Sequence, residues 1–129
     1  DRIELAGRRA DALELMTQAG VFVLSSRFEG FPNVLVEAMS AGRPVIATDC
    51  RSGPSELITH GVNGWLIPPE DSAAIAAGLD RLLSDPQLRD RLGAAAQVVR
   101  DRLSLAKILG MWNQLLSETC QTELGRSAA

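Results

Sequence analysis

Short apolar runs that alternate with stretches of helical periodicity constrain the fold of this chain more than any other feature. The runs lie at 21–24, 44–48 and 64–67, and helical patterns lie at 9–19, 33–41 and 54–58. Apolar runs without polar alternation are typical of strands buried on both faces. Strands that alternate with helices over short loops indicate a parallel sheet with right-handed crossovers. The sequence therefore predicts an α/β, Rossmann-like fold with a parallel sheet of three to four strands and flanking helices, in which residues 2–5 (RIEL) supply the fourth strand at one edge.

The last third of the chain is predicted to be helical. Pro68 and Pro69 end the third strand, and the apolar residues beyond them recur at helical spacing. Asp71 or Ser72 can cap the next helix, and Asp85-Pro86 matches the N-cap and first helical position of another. A last helix is expected at about 104–119, and residues 121–129 are expected to form a disordered tail. With 129 residues in all, the chain suffices for one core, so we expect a single domain at 1–120.

Charge and composition exclude several classes of function. Lys and Arg number 13 against 16 Asp and Glu, and the net charge is −3, so we expect no nucleic-acid partner. No apolar run of about 18 residues is present, which argues against a transmembrane segment. Cys50 and Cys120 form no metal-binding pattern, so we expect no metal. The interpretation is a cytoplasmic domain, with any membrane association coming from a missing part of a longer protein.

The segment SSRFEGFPNVLVEAMSAG, residues 25–42, leads from the first predicted buried strand into a helix. Ligands of open parallel sheets bind at the carboxyl ends of the strands, so this loop is predicted to lie at the ligand-binding edge. Pro32 suits the first helical position, or else Asn33 is the N-cap. In both cases residues 30–34 are predicted to present free backbone amides that attract a phosphate, and Gly30 permits its close approach.

Two acids flank this turn. Glu29 precedes the helix, and Glu37 lies about one turn inside it on a polar stripe with Asn33 and Ser40. The opposite, apolar stripe consists of Val34, Leu35, Ala38 and Met39. A carboxylate at Glu37 can bind the vicinal diol of a ribose, which together with a phosphate at the helix start fits one nucleotide. The alternatives are that Glu37 is only solvated and that Glu29 only complements the helix dipole.

Serines near the same edge leave two interpretations open. Ser25 and Ser26 follow the first strand, and Ser52 with Gly53 and Pro54 follows the second. They either line a ligand pocket or make local hydrogen bonds and shape the start of the next helix.

The ordered set of these motifs resembles the C-terminal, donor-binding domain of glycosyltransferase family 4, whose members are retaining enzymes of the GT-B type. The E-x7-E pair lies within SRFEGFPNVLVEAMSAGRPVIAT and is followed by DCRSGPSELI and GVNGWLIPPED, and the likeness runs from about residue 8 to 118. It implies that Glu37 binds the ribose hydroxyls of a sugar nucleotide and that Glu29, the catalytic residue, lies beside the transferred sugar. The turn between them is implied to contact the diphosphate or the sugar through Gly30, Phe31, Pro32, Asn33 and Val34.

The implied activity is the transfer of a hexose from a nucleoside-diphosphate sugar to a hydroxyl acceptor with retention of configuration. UDP is the favoured nucleotide, and no cofactor is implied. The family also has an acceptor domain and a basic pair that neutralises the leaving diphosphate, and both are missing from this sequence. We therefore expect the chain alone to be inactive and its last apolar helix to favour a homo-oligomer. The alternative is a non-catalytic nucleotide-binding or oligomerisation module.

Overall fold

The computed structural model describes the backbone of residues 3–127 and the side chains of residues 3–119. Its elements in chain order are α1 (Ala12–Gln18), β1 (Phe22–Leu24), α2 (Asn33–Ser40), β2 (Val45–Thr48), α3 (Pro54–Leu57), β3 (Trp65–Ile67), α4 (Ser72–Ser84), α5 (Pro86–Ala96), α6 (Val98–Arg102) and α7 (Leu105–Ser127). The chain divides into two compact units after Val99. The first contains the sheet, and the second contains α7. The predicted α/β class with flanking helices and a helical last third is confirmed.

The sheet has the order β1-β2-β3, and both pairs of strands are parallel. Ile46 is aligned with Val23 on one side and with Trp65 on the other. All four residues of β2 are buried, because the strand is paired along both edges and covered on both faces. This explains why residues 44–48 show no polar alternation.

Apolar side chains of α4 and α5 close the core of the first unit. A buried cluster joins the sheet to these helices and contains Ile46, Ile67, Leu82, Leu88 and Leu92. The predicted caps are present: Asp71 accepts a hydrogen bond from the amide of Ala74 at 2.8 Å, and Asp85 accepts one from the amide of Leu88 at 3.0 Å. Each cap satisfies an amide that has no partner within its helix.

The predicted edge strand at residues 2–5 is wrong where it can be compared. Residues 3–5 belong to no helix or strand, and the side chains of Ile3 and Leu5 are 83% and 95% exposed, while Arg2 lies outside the described residues. A strand persists only when a neighbour satisfies its backbone groups. Within the described residues the sheet has three strands, at the lower end of the expected number.

The last helix, α7, is longer than predicted, since its backbone is helical from Leu105 to Ser127. Side chains from residue 120 onward lie outside the described residues, so the disordered tail at 121–129 stays a prediction. Among residues 3–127, none of the helices combines the length and the apolar character that crossing a bilayer requires.

Candidate functional site

The carboxyl ends of β1 and β2 lie side by side, and a loop leaves each of them. Parallel pairing aligns Leu24, the last residue of β1, with Ala47 in β2. Residues 25–32 lead from β1 to α2, and residues 49–53 lead from β2 to α3. The segment that carries Glu29 therefore leaves the edge of the sheet where ligands of such folds bind.

One side-chain hydroxyl group bonds within the loop after β1, and two others tie that loop to β2 and the loop after it. Ser26 Oγ donates to Glu29 Oε1 at 2.6 Å. Thr48 Oγ1 donates to the carbonyl oxygen of Ser26, and Ser52 Oγ donates to the carbonyl oxygen of Glu29. The first and last residues of the turn at 26–29 are thus both bonded to residues that belong to β2 or follow it.

Close packing between Gly53 and Pro32 adds a second link. Gly53 has a φ of +95°, and a Cβ atom built on it would lie 2.7 Å from Cδ of Pro32 and 3.6 Å from Cβ of Glu29. Pro32 itself is fully buried. The loop after β2 therefore lies against the loop after β1 with no room for a side chain between them, and only glycine fits this backbone conformation.

On both sides of the buried Pro32, the turn between the two acids is exposed. Gly30 and Asn33 are exposed, and the side chain of Phe31 is 50% exposed. A Cβ atom built on Gly30 would meet no atom within 4 Å. A ligand can therefore approach the backbone of this turn.

The start of α2 differs by one position from both predicted alternatives. Pro32 is the N-cap and Asn33 is the first helical residue. The reason is that the carbonyl oxygen of Pro32 accepts from the amides of Leu35 and Val36 at 2.9 and 3.2 Å, as an N-cap carbonyl does. The amide of Asn33 donates to the carbonyl oxygen of Phe31 at 2.9 Å, so the prediction that all amides of residues 30–34 are free is wrong at Asn33.

Glu37 lies in α2, four residues after Asn33, and both residues are exposed. They share one face of the helix because four residues make about one turn. The apolar stripe is narrower than predicted: Leu35, Ala38 and Met39 are fully buried, while Val34 is 37% exposed. Val34 therefore borders the exposed turn rather than the core.

Arg27, the basic residue of the loop after β1, pairs with an acid. Its Nε atom lies 2.9 Å from Oε1 of Glu70, and both side chains are mostly exposed. Glu70 follows β3, so the loops after the first and third strands also meet. The positive charge of Arg27 is therefore opposed by the carboxylate of Glu70.

Thr48 has a structural role near this edge that the sequence analysis did not recognise. Thr48 is the last residue of a buried strand, and a hydroxyl at such a position is the signal that would have identified it. Cys50 is buried. Across residues 3–119 no group of three or more His, Cys, Asp or Glu side chains is arranged to hold a metal ion.

Comparison with known sequences places this fold in a family. The sequence profile described as glycosyl transferases group 1 matches residues 1–99. The lipopolysaccharide 1,6-galactosyltransferase of Escherichia coli is 40% identical over 88 residues, which are 65% of this chain and 24% of that protein. The exopolysaccharide phosphotransferase SCO2592 of Streptomyces coelicolor is 36% identical over 119 residues, which are 92% of this chain and 13% of that protein.

A solved structure with a bound sugar nucleotide is also similar. Anabaena Alr3699/HepE in complex with UDP-glucose matches with a TM-score of 0.81 and 33% identity, over 95% of this chain and 33% of that one. The chain spans 13% to 33% of the length of the first curated relatives it matches. Because the family profile matches residues 1–99, which are most of its length, the chain belongs to the group 1 glycosyltransferases.

Proposed function

We propose that this chain is the donor-binding part of a retaining, GT-B glycosyltransferase of family 4 that takes a nucleoside-diphosphate hexose as its donor. One observation carries the proposal: an exposed turn flanked by Glu29 and Glu37 follows the carboxyl end of β1 in a parallel sheet. The similar Anabaena protein binds UDP-glucose, which supports UDP as the nucleotide. The chain would bind the donor, while the acceptor domain would lie in another part of the whole protein.

Each part of the donor has a proposed partner in the site. The diphosphate lies over the backbone of residues 30–34, near the positive end of α2. The ribose hydroxyls donate to the carboxylate of Glu37, about one turn along the helix. The hexose lies beside Glu29, where a carboxylate orients the sugar and stabilises positive charge that develops at the anomeric carbon.

Within the described residues, the loops after β1 and β2 carry one arginine each, Arg27 and Arg51. Arg27 is paired with Glu70 at 2.9 Å, so its charge is already opposed. Stabilisation of charge in the transition state is usually the largest catalytic contribution. We therefore propose that these residues alone bind the donor without transferring the sugar to an acceptor hydroxyl. The proposed location of the whole enzyme is the cytoplasm, with membrane association through its remaining part.

A titration of the ¹⁵N-labelled chain with UDP, GDP, ADP and UDP-glucose tests the proposal. We expect the largest changes in amide chemical shift at residues 29–37. The UDP compounds should bind most tightly. Glu37→Ala should weaken UDP binding about tenfold or more, because hydrogen bonds to a charged group are worth about 1.5–3 kcal/mol. Glu14→Ala, at an exposed acid on α1, is the matched control and should leave affinity unchanged.

Three results would each contradict one part of the proposal. If added nucleotide changes the amide chemical shifts of other residues but not of residues 29–37, the nucleotide binds elsewhere. If Glu37→Ala leaves the affinity for UDP unchanged, Glu37 does not contact the ribose. Appreciable transfer or hydrolysis of UDP-glucose by the chain would refute the proposed inactivity.

The apolar residues of α7 support a second proposal, which concerns assembly. Along this helix several large apolar side chains are more than half exposed, namely Leu105, Leu109, Met111, Trp112, Leu115 and Leu116. Burying one such side chain stabilises a complex by about 1.5–3 kcal/mol. We propose that the isolated chain associates with a second copy through this face of α7.

Sedimentation velocity across a range of concentrations tests the association. Leu115→Glu should yield a monomer, because it places a charge on the apolar face. Asn113→Glu, at an exposed polar residue of the same helix, should leave the association intact. A wild-type chain that stays monomeric at the highest concentration would refute this proposal.

A further inference from the structure

The carboxylate of Glu29 is oriented by a neutral hydroxyl group. Ser26 Oγ donates to Glu29 Oε1 at 2.6 Å, and the pair is partly buried. No other side-chain or backbone donor contacts the Glu29 carboxylate within the described residues, so Oε2 remains available to a ligand. A hydrogen bond to a carboxylate is stronger than one between neutral groups, and partial burial strengthens it further.

The backbone that carries Glu29 is bonded to the most buried strand of the sheet. Thr48, 1% exposed, donates its hydroxyl to the carbonyl oxygen of Ser26, and Ser52 donates its hydroxyl to the carbonyl oxygen of Glu29. Both ends of the four-residue turn are thereby attached to β2 and the loop that follows it. The position of Glu29 therefore depends on β2 as well as on its own strand.

We propose that Ser26 is a positioning residue for the donor sugar, acting through Glu29, and that Thr48 and Ser52 hold the turn on which both residues lie. This inference rests on the proposed function, because it needs Glu29 to contact the transferred hexose. Ser26 itself would touch no reacting atom. Its hydroxyl selects one orientation of the Glu29 side chain, with Oε1 bonded to the protein and Oε2 directed to the sugar.

The size of the effect follows from the freedom of a glutamate side chain. Each of its two sp³ torsions has three staggered wells, so the free side chain has about nine orientations. A ligand that requires one of them binds more weakly in proportion to the fraction of molecules that adopt it. Removing the Ser26 hydroxyl should therefore weaken the sugar-dependent part of donor binding about three- to tenfold.

Calorimetric titration of the chain with UDP-glucose and with UDP separates positioning from a general structural role. Ser26→Ala should raise the Kd for UDP-glucose about three- to tenfold and change the Kd for UDP less than twofold. Ser84→Ala, at an exposed serine that ends α4, should leave both unchanged. Ser26→Thr keeps the hydroxyl and should restore most of the UDP-glucose affinity.

A double-mutant cycle shows whether Ser26 acts through Glu29. In the Glu29→Ala background, Ser26→Ala should have no further effect on UDP-glucose binding, since the group it orients is gone. Thr48→Val, which preserves the shape of the side chain and removes its hydroxyl, should weaken UDP-glucose binding in the same sugar-dependent manner. Additive losses in the cycle would mean that Ser26 acts independently of Glu29 and would overturn the inference.

The outcomes for the wild-type chain distinguish this inference from the function on which it rests. If the chain binds neither compound, the proposed function fails and the positioning role fails with it. If it binds UDP and UDP-glucose equally, nucleotide binding stands and the positioning role alone is refuted. Equal weakening of UDP and UDP-glucose by Ser26→Ala would likewise refute positioning, because it would indicate a general distortion of the loop.

Discussion

Replacing Gly53 by alanine should destabilise the first unit by about 2–6 kcal/mol, because the change combines backbone strain with a clash. Gly53 has φ +95° and ψ −71°, a conformation that costs other residues about 1–3 kcal/mol. The added Cβ atom would lie 2.7 Å from Cδ and 3.2 Å from Cγ of Pro32. The proline ring is buried and rigid and cannot rotate away, so overpacking adds about 1–3 kcal/mol.

Gly61 provides the matched control within the same chain. Its φ is +73°, and a Cβ atom built on it would meet no atom within 4 Å. Gly61→Ala should therefore incur the backbone cost alone, about 1–2 kcal/mol. A loss in Gly53→Ala well beyond that in Gly61→Ala is the expected signature of the contact between Gly53 and Pro32.

Urea unfolding followed by tryptophan fluorescence measures both free energies of unfolding by linear extrapolation. A domain of this size has about 5–15 kcal/mol of stability in total, so Gly53→Ala should show a large fall in its urea midpoint. Equal losses for the two variants, within about 0.5 kcal/mol, would refute the argument that the two loops pack without space between them. We also expect Gly53→Ala to shift the amide signal of Glu29, because the clash displaces the turn.

Three further predictions concern other parts of the first unit. Asp85→Ala should lower the free energy of unfolding by about 1 kcal/mol, since it removes the cap bonded to the amide of Leu88; urea unfolding measures the loss. Asn63→Ala should cost about 1–3 kcal/mol in the same assay, because a buried side chain that makes two hydrogen bonds to backbone groups is removed. The hydrogen bond from Arg9 lowers the pKa of Asp11, so this pair stabilises the fold above the ordinary aspartate pKa and ceases to do so as the pH falls through the lowered value. A carboxyl NMR titration of wild type and Arg9→Ala should show the pKa of Asp11 rising in the variant.

Much of the fold could be predicted because its signals are local. The run at 44–48 has no polar residue until Thr48, and such a run fits a strand covered on both faces. The caps at Asp71 and Asp85 act within a single helical turn, so a few consecutive residues suffice to identify them. The strand expected at 2–5 failed because a strand exists only when another part of the chain pairs with it, and the pattern of four residues contains no information about that partner.

The position of the loop that carries Glu29 was predictable from the sequence, but the hydrogen bonds within and around that loop were not. The order of strand, loop and helix was enough to place Glu29 and the following turn at the carboxyl edge of the sheet. The bond from Thr48 to Ser26 spans 22 residues, and the bond from Ser52 to Glu29 spans 23. Such contacts depend on how two crossovers place their loops. The exposure of Val34 was also missed, because a helical repeat gives the direction of the buried stripe but not its width.

The parallel pairing on both sides of β2 has a consequence for how the chain is synthesised. A parallel neighbour can pair only after the helix that connects the two strands has been made. While Val45–Thr48 has left the ribosomal exit tunnel and Trp65–Ile67 is still inside it, β2 has β1 on one edge and nothing yet on the other. Nascent chains that pause there would present an apolar, unpaired edge to chaperones or to one another, and this edge closes only when Trp65–Ile67 leaves the exit tunnel.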